Sequence, residues 1–290
     1  MCITINNNIG NITINGADEK YSKHLEEIFN KKMKEHDKYF IPFISNYLEK
    51  LNKQYKLLEY INCRKDITIN CYKDKKGNNH YRTKTYNSCK DRFCNLCGWQ
   101  MAKSNKYNIA YTIRTAKYKQ GYHLAMLRLS RKSVPSVPED VLGQEIKNLN
   151  SAFSALVRTK EFKKICDGYI RKLEVTYNYN TNTYNPHLHI VLVLNKEYFD
   201  NKISWLQAWQ KVNNNMAVNA NFRFRLNIKG KNLYKLSHYL AKPIIKHYST
   251  AIKQDTFNTL HYILHGQRLL TYSGICKQIL KKKRSDNHGN

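Results

Sequence analysis

The chain has 290 residues, of which 50 are Lys or Arg and 21 are Asp or Glu, so its formal net charge is +29. A hydrophobic content of 41% is enough for a folded core and excludes a chain that is disordered throughout. No run approaches the roughly 20 consecutive apolar residues of a membrane span, which excludes a membrane-spanning protein.

The N-terminal third of the chain is predicted to be mainly helical. Residues 3–16 hold a near-duplicated polar stretch rich in Asn, Ile and Thr, which we expect to be a frayed leader. Residues 18–58 carry apolar residues at helical spacing, with a break near Pro42. Residues 63–97 then contain five of the 8 cysteines.

The middle of the chain alternates between strand and helix patterns. Period-two alternation predicts the strands, and apolar residues three and four positions apart predict the helices. In chain order the predicted segments are strand 123–130, helix 146–156, strands 169–177 and 187–194, helix 205–212, strand 222–228 and helix 233–248. This order is the split βαβ arrangement of ferredoxin-like folds with one helix added, and it places the chain in the α+β class.

The charge of the chain points to a polyanionic partner. Each phosphate that Lys or Arg neutralises releases counterions, and the 22 Tyr and 10 Phe offer surfaces on which unpaired bases can stack. Nucleic acid is therefore the expected partner, with a membrane surface as the weaker alternative. Since the N-terminus shows no secretory signal, we expect a cytoplasmic protein whose cysteines are reduced.

Two histidines lie on one face of a predicted apolar strand. His187 and His189 are two residues apart, and side chains alternate along a strand, so both can reach one metal ion. If the hairpin across 178–185 closes symmetrically, Glu174 lies opposite His189 and Thr176 lies opposite His187. Two imidazoles and a carboxylate suit a divalent cation with open positions, although a purely structural histidine pair is the alternative.

A tyrosine lies among lysines on the last predicted helix. Lys235, Tyr239, Lys242 and Lys246 fall at i, i+4, i+7 and i+11 and so share one helical face. These cations would bind phosphate and favour the phenolate, and a phenolate that attacks DNA forms a phosphotyrosine ester. A solvated helix face is the alternative.

The cysteines suggest a second, structural metal site. Cys89, Cys94 and Cys97 have the spacing Cys-x4-Cys-x2-Cys, and zinc takes four thiolate or imidazole ligands in a tetrahedron. Cys63 is our preferred fourth ligand, and the competitors are Cys71 and His80. Separate reduced core thiols, or a redox pair, are the alternatives.

These motifs together resemble the plasmid rolling-circle replication initiators of the HUH endonuclease superfamily. The stretch 184–190, Tyr-Asn-Pro-His-Leu-His-Ile, looks like their His-hydrophobe-His motif, and 233–242 looks like their Tyr-x-x-Lys motif. The stretch 123–130 is similar to their first motif, with Arg128 where a small hydroxyl residue is usual. The stretch 269–274 resembles their C-terminal signature, and the similarity extends from about residue 60 to 280.

The resemblance implies a nuclease domain at 106–250, between a helical, zinc-binding region at 1–105 and a basic extension at 251–290. It implies a metal-dependent endonuclease and strand transferase that binds the plasmid origin and leaves a 3′ hydroxyl primer. Its implied site residues are the nucleophile Tyr239, assisted by Lys242, the Mg²⁺ or Mn²⁺ ligands Glu174, His187 and His189, and the zinc ligands Cys63, Cys89, Cys94 and Cys97.

Further expectations concern DNA and other partners. We expect DNA contacts from Arg223, Arg225, Lys235 and Lys246, and a host helicase and polymerase as partners; the oligomeric state is left open. Related initiators carry a Glu four residues before the tyrosine, as the base of a terminating hydrolysis, and Lys235 stands there instead. The alternatives are a non-catalytic origin-binding repressor and an HUH transposase or relaxase.

Overall fold

The computed structural model describes residues 2–7, 10–64, 66–73, 77–85, 87–138, 140–195, 205–214, 218–223, 231–242 and 253–288. The chain forms two compact units, Met1–Met101 with Pro243–His261, and Ala102–Lys242 with Tyr262–Asn290. The range 251–290, which the sequence suggested as one extension, is thus shared between the units. Among the described residues, no helix combines the length and apolar character needed to cross a membrane.

The first unit combines a four-stranded sheet with helices. Its elements are β1 (Cys2–Asn7), β2 (Gly10–Asn15), α1 (Glu19–Glu35), α2 (Ile41–Lys50), α3 (Leu57–Ile61), β3 (Asp66–Lys73), β4 (Asn79–Thr85) and the start of α4 (Asn95–Arg114). Asp18 caps α1 by accepting a hydrogen bond from the backbone N–H of Tyr21 at 2.8 Å. The predicted break near Pro42 is a single π-helical turn, His36–Phe40, after which the proline lies in the first turn of α2.

The expectation of a frayed leader was wrong. Cys2–Asn7 and Gly10–Asn15 pair as the antiparallel strands β1 and β2, and β2 pairs in parallel with β3. Ile12 and Ile14 pair with Ile67 and Ile69, and all four side chains are buried. Isoleucines that alternate with polar residues form a strand with one buried face, so the Asn and Thr residues do not mark a disordered segment.

The second unit is built around an antiparallel sheet. Its elements after α4 are β5 (His123–Ser130), β6 (Val134–Pro135), α5 (Asp140–Leu156), α6 (Lys160–Ile165), β7 (Cys166–Asn178), β8 (Thr183–Leu194), α7 (Trp205–Val212), β9 (Asn219–Arg223), α8 (Lys231–Ala241), β10 (Leu270–Gly274) and α10 (Ile275–His288). Most of α9 (Gln254–Leu264), up to His261, belongs to the first unit. The strand order is β10-β7-β8-β5-β9, with β6 beside β8. The four strands of the split βαβ unit therefore have the ferredoxin-like order, which confirms the predicted fold class.

The two faces of this sheet carry different helices. On one face, Val191 and Val193 of β8 belong to an apolar cluster with α4, α8 and α10, for example through Ile109, Leu240 and Ile279. On the other face α5 packs on β8. His187 and His189 share the first face with Val191, because strand side chains alternate. His187 and His189 therefore form a polar end of the otherwise apolar sheet face that lies beneath α8.

One element near the predicted DNA-contact residues ends earlier than expected. β9 is described from Asn219 to Arg223, and the rest of the predicted strand 222–228, with Arg225, lies outside the described residues. α8 ends at Ala241, so Lys242 is not part of the helix that we extended to residue 248. Pro243 follows Lys242, and a proline disfavours helical conformation in the residue before it. Lys246 lies outside the described residues.

Candidate functional site

The β7–β8 hairpin brings the three predicted metal ligands together, in a register different from the one we expected. Glu174 pairs with His187, Lys172 with His189 and Thr176 with Asn185. The predicted pairing of Glu174 with His189 was therefore wrong by two residues. The hairpin closes tightly between Asn178 and Thr183. In this turn the side-chain oxygen of Asn178 accepts hydrogen bonds from the backbone N–H groups of Asn180 and Thr181.

The three side chains nevertheless converge on one point. One oxygen of Glu174 lies 2.9 Å from Nε2 of His189 and 3.7 Å from Nε2 of His187. Nδ1 of His187 lies 3.0 Å from the carbonyl oxygen of Asn185, which can only accept, so this nitrogen carries the proton and Nε2 is left to face Glu174. Two imidazoles and a carboxylate with ligand atoms within 4.8 Å of one another fit a single divalent cation.

The protonation states also suit cation binding. The imidazoles of His187 and His189 hold the pKa of Glu174 well below its usual range, so the group is a carboxylate near neutral pH. Burial lowers the pKa of His189, an effect that Glu174 opposes. Both histidines are only 3% exposed. A neutral imidazole beside an ionised carboxylate is the state that binds a metal.

Tyr239 lies directly beside these ligands. Its hydroxyl is 2.9 Å from Nε2 and 3.2 Å from Nδ1 of His189, and Nζ of Lys242 lies 4.6 Å from the centre of its ring. Burial raises the pKa of Tyr239, with the charge of Glu174 adding to the effect and Arg128 opposing it. Lys246, one of the lysines expected to favour the phenolate, lies outside the described residues, so that expectation stays a prediction.

Sequence reasoning missed Lys172, which lies on the same face of the sheet. Its side chain is 7% exposed, and its ammonium donates a hydrogen bond of 2.6 Å to the carbonyl oxygen of Lys242, just beyond α8. Burial lowers the pKa of Lys172 to about 8. The signal available in the sequence was the two-residue spacing between Lys172 and Glu174, which places both on one face of β7.

The predicted DNA-contact residues are only partly described. Lys235 is exposed on α8, and the backbone of Arg223 pairs with Met126 at the edge of the sheet. Arg128 occupies an exposed position of β5 opposite His189. Arg225 and Lys246 lie outside the described residues, so their roles stay predictions.

A four-cysteine cluster lies in the first unit. Sγ of Cys63 is 3.4 Å from that of Cys97 and 3.8 Å from that of Cys94, and Cys89 is 3.6 Å from Cys97. A tetrahedron with Zn–S bonds of about 2.3 Å has edges of about 3.8 Å, so these four sulfurs fit a zinc ion. Neither Cys71 on β3 nor His80 on β4 belongs to this group of four, so the preferred fourth member, Cys63, is the one brought together with the others.

Local structure explains how the cluster forms. Cys94 and Cys97 bracket the start of α4, and the backbone N–H of Gly98 donates to the carbonyl of Cys94 at 2.7 Å. A Cβ atom at Gly98 would lie 2.5 Å from the carbonyl oxygen of Arg92, so the turn requires a glycine. Hydrogen bonds from Cys63, Cys89 and Cys94 hold the pKa of Cys97 well below its ordinary range, which favours the thiolate that metal binding requires.

Comparisons with known proteins agree with these features. Residues 80–290 match the model of a family described as Replication protein. A Staphylococcus aureus protein named Protein rep is 34% identical over 164 residues, covering 54% of this chain and 70% of the relative. Proteins of the same name from Lactiplantibacillus plantarum and Streptococcus pneumoniae are 32% and 28% identical, covering 66% and 69% of this chain. The chain spans 65% and 64% of the lengths of these two relatives, and no solved structure matches it significantly.

Proposed function

The chain belongs to the replication protein family, and from this membership we propose that it initiates rolling-circle replication of a plasmid. In this proposal it binds the double-strand origin and nicks one strand to leave a 3′ hydroxyl primer. One observation carries the proposal: the hydroxyl of Tyr239 lies 2.9 Å from His189, within the group formed with Glu174 and His187. A nucleophile and a cation site this close together can act on the same phosphate.

The chemistry follows from the groups at the site. Glu174, His187 and His189 would hold Mg²⁺ or Mn²⁺, which would supply positive charge to polarise the scissile phosphate. The Tyr239 oxygen attacks phosphorus and gives its proton to solvent water as the O–P bond forms. The bond from phosphorus to the 3′ oxygen breaks, and that oxygen takes up a proton to become the primer hydroxyl. Lys242, beside the Tyr239 ring, would stabilise the charge of the phosphate.

The four-cysteine cluster would have a structural role in this protein. We propose that it binds one zinc ion, because four cysteines with no open ligand position are typical of structural zinc sites. Such a site would hold the segments around Cys63 and Cys89 against the start of α4. In the same proposal, the first unit, which contains the four-cysteine cluster, contributes to binding of the origin DNA because it is rich in basic residues.

The proposal is tested with a nicking assay on plasmid carrying the origin. Tyr239→Phe is expected to bind the origin but form no covalent adduct, because only the hydroxyl is lost. His187→Ala and His189→Ala are expected to lose metal-dependent cleavage. Tyr262→Phe is the matched control, since Tyr262 is an exposed tyrosine on α9 and is expected to leave the adduct unchanged.

Two results would contradict the proposal. Undiminished adduct on Tyr239→Phe would assign the nucleophile to another tyrosine. Origin binding without any nicking, with either metal, would instead favour a non-catalytic repressor, for which the one supporting observation is Lys235 in place of the family's Glu.

A further inference from the structure

Exposed aromatic rings and lysines line α8, α4 and α10 outside the candidate active site. We propose that Tyr234 and His238 on α8, Lys106 and Tyr107 on α4, and Lys283 on α10 form a binding surface for single-stranded DNA, which we term the aromatic track. This inference rests on the proposed function, because its ligand is the strand that Tyr239 nicks.

The part of the aromatic track on α8 lies next to the nucleophile. Tyr234 is 61% exposed, and its ring is parallel to that of His238 within 1°, with centres 6.3 Å apart. Residues four apart lie on one side of a helix, so the two flat rings face the same side of α8. Tyr234 precedes Tyr239 by five residues, about 7.5 Å along the helix axis and about 140° around it, so a strand of about two stacked nucleotides would pass partly around α8 between the two rings.

Lysines accompany the aromatic rings. Nζ of Lys106 lies 3.4 Å from the centre of the Tyr234 ring, so α4 and α8 share this contact. The next residue, Tyr107, is 63% exposed, and Nζ of Lys283 lies 3.9 Å from its ring centre. A hydrogen bond of 2.6 Å from Lys283 to the side chain of Asn108 fixes this lysine against α4. Rings and cations therefore alternate from α8 across α4 to α10.

Acidic residues are absent from the parts of α4 and α8 that carry the aromatic track. No acidic residue occurs between Asp91 and Glu139 or between Asp200 and Asp255, so the parts of α4 and α8 that carry the aromatic track have no carboxylate. On α10, three consecutive lysines, Lys281 to Lys283, precede Asp286. A surface whose fixed charges are nearly all positive attracts a polyanion.

The combination of rings and lysines favours a single strand over a duplex. In a duplex the bases stack on one another and their faces are covered, whereas a single strand can place its bases on protein rings while lysines contact the phosphates. Tyr234 and Tyr107 expose most of their surface, which a role confined to helix packing would not require. The nicked strand next to Tyr239 is the nearest candidate to occupy the track.

Binding can be measured without cleavage in a Tyr239→Phe background. The probe is a fluorescein-labelled oligothymidylate of about 16 nucleotides, the upper site size for one single-strand-binding domain, with one 2-aminopurine as a stacking reporter. Tyr234→Ala is expected to weaken binding about five- to hundredfold and to relieve the quenching of 2-aminopurine, whereas Tyr234→Phe keeps both. Lys106→Gln is expected to reduce the salt dependence of binding by about 0.7 in the log–log slope.

Controls separate stacking from loss of structure. Tyr262→Ala and Lys163→Gln change an exposed tyrosine and an exposed lysine outside the track, and both are expected to bind the probe normally. Tyr234→Leu keeps an apolar contact for α4 but offers no ring, so it is expected to bind as weakly as Tyr234→Ala. Normal probe affinity and quenching in both Tyr234→Ala and Tyr234→Leu would overturn the proposal.

The outcome is distinguishable from failure of the proposed function. If the otherwise natural protein forms the Tyr239 adduct but the Tyr234 variants bind the probe normally, the track is wrong and the nicking proposal stands. If no adduct forms but probe binding depends on Tyr234 and Lys106, the track stands as a binding surface and the nicking proposal fails.

Discussion

Replacing Cys63 by Ser is expected to impair zinc binding by the first unit while leaving most of its packing in place. Cys63 is 1% exposed, and its sulfur lies within 3.8 Å of those of Cys94 and Cys97. Serine is nearly isosteric, but its hydroxyl remains protonated at neutral pH and is a poor zinc ligand. The substitution therefore removes one of four metal bonds without creating a large cavity.

The size of the effect follows from the number of ligands. Structural zinc sites bind with about 10–16 kcal/mol at neutral pH, so an equal share for each of four thiolates is about 2.5–4 kcal/mol. That loss corresponds to a fall in zinc affinity of roughly a hundred- to a thousandfold. Because metal binding and folding are coupled in such sites, the free energy of unfolding at limiting zinc is expected to fall in parallel.

The assay compares two cysteine variants purified without chelator. Zinc content per chain and competition with a chromogenic chelator measure the affinity, and thermal unfolding with and without added zinc measures the coupling. Cys71→Ser is the matched control, because Cys71 lies on β3 outside the four-cysteine group and is expected to retain one zinc. Full zinc content with unchanged affinity in Cys63→Ser, or loss of zinc in Cys71→Ser, would refute the reasoning.

Three further outcomes are expected. Lys172→Met removes the charged hydrogen bond to the carbonyl of Lys242, worth about 1.5–3 kcal/mol, and should slow nicking roughly ten- to hundredfold with little change in origin affinity. Burial raises the pKa of Cys276, so the unfolded chain loses this proton first and native stability falls as pH rises above about 9; Cys276→Ala should lessen that fall, as chemical denaturation at pH 8 and pH 10 would reveal. Lys235→Glu should speed acceptor-free hydrolysis of the phosphotyrosine adduct on a labelled oligonucleotide, because a carboxylate can activate water where an ammonium cannot; rapid hydrolysis by the natural protein would contradict this.

The sequence predicted the fold of the second unit well because that unit follows simple periodicities. In strands 123–130 and 187–194, apolar residues either alternate with polar ones, as in a strand with one buried face, or follow one another, as in a strand buried on both faces. The predicted helix 146–156 repeats its apolar residues at helical spacing. The chain-order pattern then allowed few topologies. The family resemblance, drawn from motifs in these same elements, was confirmed at the level of the replication protein family.

Elements whose partners are distant in the sequence were harder to predict. β2 pairs with β3, about 50 residues later in the chain, and nothing local in the sequence reveals that pairing. Similarly, the C-terminal signature was recognised as a motif but not as β10, which pairs with β7. Gly274 ends β10 at φ +52°, and a Cβ there would lie 2.0 Å from the carbonyl oxygen of Asp167. The glycine of that signature thus permits the close approach of the two strands.

The hairpin shows why a candidate site can be predicted correctly from an incorrect register. The β7–β8 register differs from the symmetric closure by two residues, and a shift of two keeps every side chain on its original face. Glu174 therefore still meets His187 and His189, only with its cross-strand partner exchanged. A shift of one residue would have turned Glu174 to the face covered by α5, away from Tyr239. Side chains an even number of residues apart on a strand lie on the same face, and this spacing can be read from the sequence. The register between the two strands depends instead on the turn, which is fixed here by Asn178 and its hydrogen bonds. The same parity places Lys172 beneath the end of α8, so the strand that carries the candidate ligand Glu174 also donates a hydrogen bond to the carbonyl oxygen of Lys242, just beyond that helix.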